Sequence, residues 1–129
     1  MATKRMFSNI VIDSDSFLDL PPMAQLLYFH LGMRTDDDGF VGGAKRTVRN
    51  IGATDSDLQA LIDEGFILNF PNSKAFLITH HRINNDLKND RHHDTIYQTE
   101  FSQVEIKSRI YQRKPGANKP DTRCIHDRK

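Results

Sequence analysis

Apolar residues recur at helical spacing in three stretches of the first half of the chain. After the Pro21-Pro22 pair, which can open a helix, apolar positions fall at i, i+3, i+4, i+7 and i+8. Shorter apolar stripes lie on either side of Gly52, a residue suited to the left-handed end of a helix. Thr54, with Asp57 three residues later, is typical of a capped helix start. The pattern predicts helices over 21–34, 44–51 and 54–64.

Strand-like alternation follows the third predicted helix. Residues 66–70 and 75–81 alternate in the manner of two strands, and the Pro71–Lys74 segment between them is typical of a tight turn. A very short strand, Phe40-Val41, is expected after the Asp36–Gly39 turn. The resulting order of elements predicts an α+β winged helix-turn-helix, a three-helix core with a C-terminal β-hairpin wing, over residues 1–94.

The last third of the chain has a weaker pattern. Tyr97, Phe101, Val104 and Tyr111 fall at i, i+4, i+7 and i+14, which predicts an amphipathic helix over 95–112. Its apolar stripe would dock on its own domain or on a second subunit, and the second is slightly favoured. Residues 113–129 are rich in charge, proline and glycine, so we expect a disordered basic tail. Removing residues 101–129 is expected to leave the fold intact.

Composition and charge limit the cellular compartment and the partners that we expect for this chain. The chain has 129 residues, 37% of them apolar, with no apolar run near the ~20 residues of a membrane span and no signal peptide. Its one cysteine, Cys124, excludes an internal disulfide and a cysteine-based zinc site. We therefore expect a cytoplasmic protein with no membrane partner. Residues 82–129 carry 11 basic and 7 acidic side chains against 7 and 10 in residues 1–81, so a polyanion is a candidate partner.

Ordered blocks of sequence run from Arg5 to about Glu100, roughly three-quarters of the chain. They are Met6-Phe7-Ser8, Phe17-Leu18-Asp19-Leu20-Pro21, Leu27-Tyr28-Phe29-His30-Leu31-Gly32-Met33, Asp36-Asp37-Asp38-Gly39-Phe40-Val41, Arg49-Asn50-Ile51-Gly52-Ala53, Asp57-Leu58, Gly65-Phe66, His81-Arg82-Ile83-Asn84-Asn85, Asp90-Arg91 and Thr95-Ile96-Tyr97-Gln98. Together they resemble the N-terminal domain of phage replisome organisers, the DnaD-like phage replication initiation proteins. The resemblance implies a winged-helix domain that binds the phage or prophage replication origin as double-stranded DNA and nucleates primosome assembly in the bacterial host cytosol.

The same resemblance bears on protein partners. Members of this family are usually longer and add a linker and a C-terminal domain that engages the helicase loader. This chain departs from the family pattern after Glu100 and ends in a short basic segment. Contact with a helicase loader or another primosome protein, and self-association of the domain, are therefore expectations that the resemblance raises.

Candidate DNA contacts follow from the predicted fold. On the second helix, basic residues on the outer face would meet phosphates, and on the third helix polar residues would meet base edges or phosphates despite the acids Asp55 and Asp63. The wing turn and the segment after it add further cations. The candidates are Lys45, Arg46, Arg49, Thr54, Ser56, Gln59, Lys74, Arg82, Lys88 and Arg91. At the basic positions the alternative is a solvated or incidental charge. For the third helix the alternative is packing for structure or contact with a protein.

Catalytic chemistry has no strong motif here. The chain lacks a P-loop, a G-x-S-x-G elbow and a dinucleotide fingerprint, so we expect no enzymatic activity, no cofactor and no catalytic residue. His80-His81 with Asn84-Asn85 and His92-His93 hint at a metal-dependent nuclease, but the preceding hairpin is already assigned to the wing. The consecutive acids of Asp36–Asp38 lack the alternate spacing of a calcium loop and predict a turn. No metal site is expected.

Two other functions fit the same pattern. A transcriptional repressor would use the same fold on promoter operators instead of origin repeats, and fold alone does not separate the two. A protein-interaction module of the primosome would use the acidic third helix to bind a partner protein.

Overall fold

The computed structural model describes residues 5–71, 73–85 and 94–114 of the chain. Within these ranges it is a mixed α+β structure with two small antiparallel sheets. The helices are α1 (Asn9–Ile12), α2 (Asp15–Leu18), α3 (Pro22–Met33), α4 (Ala44–Ile51), α5 (Asp55–Asp63), α6 (His81–Asn84) and α7 (Gln98–Phe101). The strands are β1 (Phe40–Val41), β2 (Ile67–Asn69), β3 (Phe76–Ile78), β4 (Val104–Lys107) and β5 (Ile110–Arg113). In the described ranges, no helix combines the length and the apolar character needed to span a bilayer.

The three predicted helices are confirmed as α3, α4 and α5, each within one residue of the predicted bounds. Gly52 ends α4 at a φ of 79°, a left-handed conformation that costs glycine little. Thr54 begins α5 through a full capping box, because its side chain accepts from the Asp57 N–H while the Asp57 carboxylate accepts from the Thr54 N–H. Only three residues, Gly52 to Thr54, separate α4 from α5.

The first sheet has the strand order β1-β3-β2, with both pairs antiparallel. The predicted hairpin is confirmed, although its strands are shorter than the sequence suggests because the chain turns into α6 directly after Thr79 and His80. One face of this sheet packs on α3, α4 and α5 and completes a core around Tyr28. The helices and the hairpin therefore share one apolar core, in which each element covers a face that the others leave open.

The predicted helix over 95–112 is wrong. That stretch forms the single turn α7 and then the β4–β5 hairpin. Ser108 and Arg109 close the hairpin with φ values of 52° and 67°, the left-handed conformations of a two-residue turn. Val104 to Lys107 also alternate apolar and polar residues, a period-two signal that the match at i, i+4 and i+7 obscured.

The apolar residues of this C-terminal hairpin dock on their own domain, contrary to the slight preference for a second subunit. Val104 and Tyr111 are buried with Phe40, Phe70 and Leu77 on the second face of the sheet. The domain boundary placed at residue 94 therefore divides parts that share a core, and removing residues 101–129 would expose that face. Residues 115–129, most of the predicted tail, lie outside the described ranges. Self-association stays a prediction that light scattering at high protein concentration would measure.

Candidate nucleic-acid interface

Helix α4 presents a face of basic side chains to solvent. Ala44, Thr47 and Val48 are buried against the core and fix the rotation of the helix about its axis. The opposite face carries exposed cations, and these are Lys45, Arg46 and Arg49. Three positive charges on one exposed helix face are suited to contact the phosphates of a nucleic-acid backbone.

Lys45 makes the one ion pair recorded on this face in the described part of the chain. Its Nζ lies 3.6 Å from Asp55 Oδ1, and both side chains are largely exposed, at 61% and 80%. Exposed pairs of this kind contribute roughly 0–1 kcal/mol, so a phosphate can replace the carboxylate at little cost. The pair also places the start of α5 beside the basic face.

Most of the α5 side chains that the sequence predicted as DNA contacts are hydrogen-bonded within the fold. The Thr54 side chain is engaged in the capping box, and Gln59 Nε2 donates to Asp63 Oδ1 at 2.9 Å. Ser56 is exposed on the first turn. The exposed side of the helix also carries Asp55 and Asp63, whose carboxylates repel phosphate. Of the three predicted base readers, the described contacts leave Ser56 as the one with no internal role.

The β2–β3 turn carries Lys74, which is exposed. C-terminal residues brace this turn from the side. Ser73 Oγ donates to Glu100 Oε2 at 2.6 Å, and Arg113 donates to the backbone oxygen of Asn69. The guanidinium of Arg113 also stacks over the Phe70 ring at 5.5 Å, and burial lowers its pKa. The turn that would serve as a wing is thus held in place by residues that follow their partners by 27 and 44 positions in the sequence.

Arg82 has a structural role in the fold. Its Nε donates to the Tyr111 hydroxyl at 3.1 Å, and its Nη2 lies 3.6 Å from Asp38 Oδ1. These contacts join α6 to β5 and to the loop before β1. The sequence predicted that Arg82 contacts phosphate, whereas the structure shows its side chain bonded within the fold. Lys88 and Arg91, the other two cations predicted after the wing, lie outside the described residues.

A second charged region lies around the Asp36–Asp38 loop, which is a turn as predicted. Asp36 Oδ1 accepts from the backbone N–H groups of Asp38 and Phe40, and Asp38 Oδ2 accepts from Thr95 N at 2.9 Å. Asp37 pairs with Arg5 at 3.0 Å. The loop therefore joins the N-terminal segment, the first sheet and the segment that precedes α7.

The sequence block at 81–85 completes this region. Asn84 accepts from Ser8 N and donates to the Tyr28 hydroxyl, both at 2.8 Å. His81 is buried, and its Nε2 lies 3.2 Å from the Asp37 backbone oxygen, which can only accept. Burial, reinforced by the positive charge of Arg5, lowers the pKa of His81 to about 4, so the ring is neutral at pH 7. We call residues 36–39 with residues 81–85 the polar hub.

Comparison of the chain with protein-family models, with curated proteins and with solved structures finds no match. Among the described residues, no three His, Cys, Asp or Glu side chains are grouped so that they could hold a metal ion. Of the residues that hinted at a nuclease, His81, Asn84 and Asn85 are hydrogen-bonded within the polar hub. His92 and His93 lie outside the described residues.

The two regions differ in what they can do chemically. In the polar hub, the Asp36 carboxylate, the Asn84 amide and the His81 imidazole all have hydrogen-bond partners inside the fold. On α4, the cations point outward and can attract a polyanion over a distance of about one Debye length, ~8–10 Å at physiological salt. Sequence reasoning identified the α4 cations. It missed the hub, although the block His81–Asn85 was already conspicuous in the resemblance.

Proposed function

We propose that this chain is a winged-helix protein that binds double-stranded DNA in phage or prophage replication initiation. It would act in the host cytosol by binding the replication origin, with no catalytic step of its own. The observation that carries the proposal is the exposed row of Lys45, Arg46 and Arg49 on a helix whose other face is locked in the core.

The arrangement of elements supports the winged-helix part of the proposal. The order α3, β1, α4, α5, β2, β3, with a three-residue turn between α4 and α5, is the order that such a domain requires. The β2–β3 turn then corresponds to the wing. Lys74 lies in that turn and would contact the DNA backbone beside the helices.

The side-chain contacts favour a mode of binding dominated by phosphates. Lys45, Arg46 and Arg49 would neutralise backbone charges, a contribution that depends little on sequence and strongly on salt. Base reading would come from the first turn of α5, where Ser56 is exposed, and from Gln59 once it releases Asp63. We therefore expect the protein to bind duplexes of different sequence with similar affinity.

The replication role rests on the resemblance to replisome organisers, and a repressor role is the alternative within the same fold. The two are separated by the DNA that is bound. An initiator binds repeats of a replication origin, for which the chain's own coding region is a convenient first probe, whereas a repressor binds promoter operators.

A protein-interaction module is a second candidate function, and the acidic exposed side of α5 favours it. Asp55, Asp63 and Glu64 face solvent there and would attract a basic surface of another protein. A chain of this kind would show no salt-dependent binding to duplex DNA at physiological ionic strength.

Fluorescence anisotropy with a labelled duplex tests the proposal. The variant Arg46→Ala/Arg49→Ala removes two charges from α4, and Lys107→Ala/Lys114→Ala removes two from exposed positions outside α4. We expect the α4 variant to bind all duplexes more weakly and to lower the slope of log K against log salt by about two. The control should change both quantities much less at physiological salt. Equal losses in the two variants would mean that overall charge, and not this surface, governs binding.

A further inference from the structure

The β2–β3 turn is anchored in the core at both of its ends. Phe70 before the turn and Ala75 after it are buried in the cluster that also contains apolar residues of the C-terminal hairpin. Pro71 follows Phe70, and the Ser73 N–H donates to the Phe70 backbone oxygen at 3.3 Å, which is typical of a tight β-turn. The exposed Lys74 therefore lies on a short segment that is fixed on both sides.

The Ser73 hydroxyl joins this turn to α7. It accepts from the Ala75 N–H at 3.1 Å and donates to Glu100 Oε2 at 2.6 Å. A hydrogen bond from a hydroxyl to a carboxylate is stronger than one between neutral groups, and 2.6 Å is the short distance expected for it. Because Lys74 lies between Ser73 and Ala75, one hydroxyl holds both of its neighbours in the chain.

Arg113 of β5 holds the other side of the turn. Its Nη2 donates to the backbone oxygen of Asn69 and lies 3.2 Å from Asn69 Oδ1, and its guanidinium stacks on the Phe70 ring. This arrangement has a cost, because Arg113 Nη1 is buried with no hydrogen-bond partner. Local costs of this kind are typical of positions that serve a functional site.

We propose that α7 and the β4–β5 hairpin form a clamp that sets the position of Lys74 for contact with the DNA backbone. Ser73, Glu100 and Arg113 are its positioning residues. The inference rests on the proposed function and concerns the wing of that domain. A lysine on a loose loop loses chain and rotamer freedom when it binds, whereas a turn that is already ordered loses less. The clamp should therefore increase the contribution of Lys74 to affinity.

The first test separates the hydrogen bond from the charge of Glu100. Glu100→Gln and Glu100→Ala lose the same negative charge, but only glutamine keeps a side-chain oxygen that can accept from Ser73. Anisotropy titrations use the 129-residue chain and a fully paired duplex from its own coding region. We expect Glu100→Ala to bind about threefold more weakly than Glu100→Gln, because the turn is then less ordered before binding. The same pair of changes at Glu105, an acid of β4 that is not among the contacts above, is the matched control and should show no difference.

The second test asks whether the effect passes through Lys74. Lys74→Ala should weaken binding about three- to fivefold and lower the slope of log K against log salt by about one. In that background Glu100→Gln and Glu100→Ala should bind equally, since no cation is left for the clamp to position. Ser73→Ala removes no charge, yet it should lower the salt slope by about 0.5–1 because Lys74 is displaced from its phosphate.

Arg113→Lys is a second variant that keeps the charge. Lysine lacks the planar fork that contacts Asn69 and stacks on Phe70, so the salt slope should fall as in Ser73→Ala. Each titration is made where circular dichroism shows the variant to be folded. A loss of structure in Arg113→Lys leaves the Ser73 and Glu100 variants to decide.

The outcomes separate this inference from the proposed function. Equal binding by Glu100→Gln and Glu100→Ala, or an unchanged salt slope in Ser73→Ala, overturns the clamp. A difference between the Glu100 variants that persists in the Lys74→Ala background assigns the contact to general stability and also rejects it. In these cases the wild-type chain still binds the duplex and still depends on Arg46 and Arg49, so the proposed function stands. No salt-dependent binding by the wild-type chain would overturn the proposed function and this inference with it.

Discussion

The polar hub and the basic face of α4 both contain arginine, but the arginine of the hub has partners inside the fold and those of α4 are exposed to solvent. In the hub, Arg82 contacts Asp38 and Tyr111, and Arg5 contacts Asp37 and Thr35. On α4, the arginines lie exposed on the side of the helix turned away from the core. The sequence alone predicted that cations from both regions contact DNA. Side-chain partners separate them, because a cation already paired in the fold has less to offer a phosphate.

The difference also predicts how the two regions respond to mutation. Changes in the hub should reduce stability and leave DNA affinity per folded molecule unchanged. Changes on α4 should do the reverse, since surface substitutions without buried partners usually alter stability by less than about 0.5 kcal/mol.

The largest effect is expected for Gly39→Ala in the hub. Gly39 has a φ of 99°, and a Cβ there would lie 2.7 Å from the Cβ of His81. Left-handed strain and overpacking together should lower the free energy of unfolding by roughly 2–5 kcal/mol. Gly43→Ala is the matched control, because a Cβ at Gly43 meets nothing within 4 Å. Urea denaturation of both variants measures the contrast, and similar losses would mean that the hub is not tightly packed.

The next largest effect is on the pH dependence of stability. Burial lowers the pKa of His81 to about 4, and burial also lowers that of His80, whereas a histidine in the unfolded chain titrates near 6.5. Between these values the unfolded state binds more protons, so stability is fully present above pH 6.5 and declines as the pH falls toward 4. The loss from His81 should be on the order of 3 kcal/mol. Urea denaturation at pH 7, 5.5 and 4.5 measures it, and an equally steep decline in His81→Gln would assign the effect to other groups.

Arg82→Ala should have a moderate effect on stability alone. The Asp38 carboxylate is buried and would lose one partner, while the Arg82 side chain is 42% exposed, so we expect the free energy of unfolding to fall by about 1–2 kcal/mol. Binding to duplex DNA, measured under conditions where the variant is folded, should keep the wild-type salt slope. Arg49→Ala is the matched comparison, with unchanged stability and a slope lower by about one. A reduced salt slope in Arg82→Ala would mean that Arg82 contacts DNA.

The smallest effect is expected for Asp55→Asn. This change removes a negative charge from the start of α5 and releases Lys45 from its exposed ion pair. Duplex affinity should rise by about two- to fivefold at low salt, a gain of under about 1 kcal/mol, while stability changes little. Anisotropy titrations at two salt concentrations measure it. A weaker complex would indicate that Asp55 positions Lys45 for binding.

Local patterns predicted α3, α4, α5 and the β2–β3 hairpin, because start and stop signals and apolar positions lie within each of these segments. They did not predict the short helices α1 and α6. Thr54 and Gly52 encode the ends of α5 and α4 in a few residues. The β4–β5 hairpin was missed because Ser108 and Arg109 lack the Asn-Gly or Gly signature of a two-residue turn. Its register is set by packing on Phe40 and Phe70, contacts that no local window contains.

The candidate site was predictable to a similar degree. The exposed side of α4 follows from the buried positions of the same helix, so its cations were assigned correctly to the outer face. The engagement of Arg82 depends on Asp38 and Tyr111, which are distant from it in sequence. Residue spacing carries no information about such contacts.

The most direct test is an NMR titration of the ¹⁵N-labelled chain with a fully paired origin duplex. DNA contact through α4 predicts chemical-shift changes at the amides of residues 43–50 and at the side chains of Arg46 and Arg49, with the hub amides of 36–39 and 81–85 unchanged. Shifts concentrated in the hub, with α4 silent, would contradict the assignment of α4 as the surface that binds DNA.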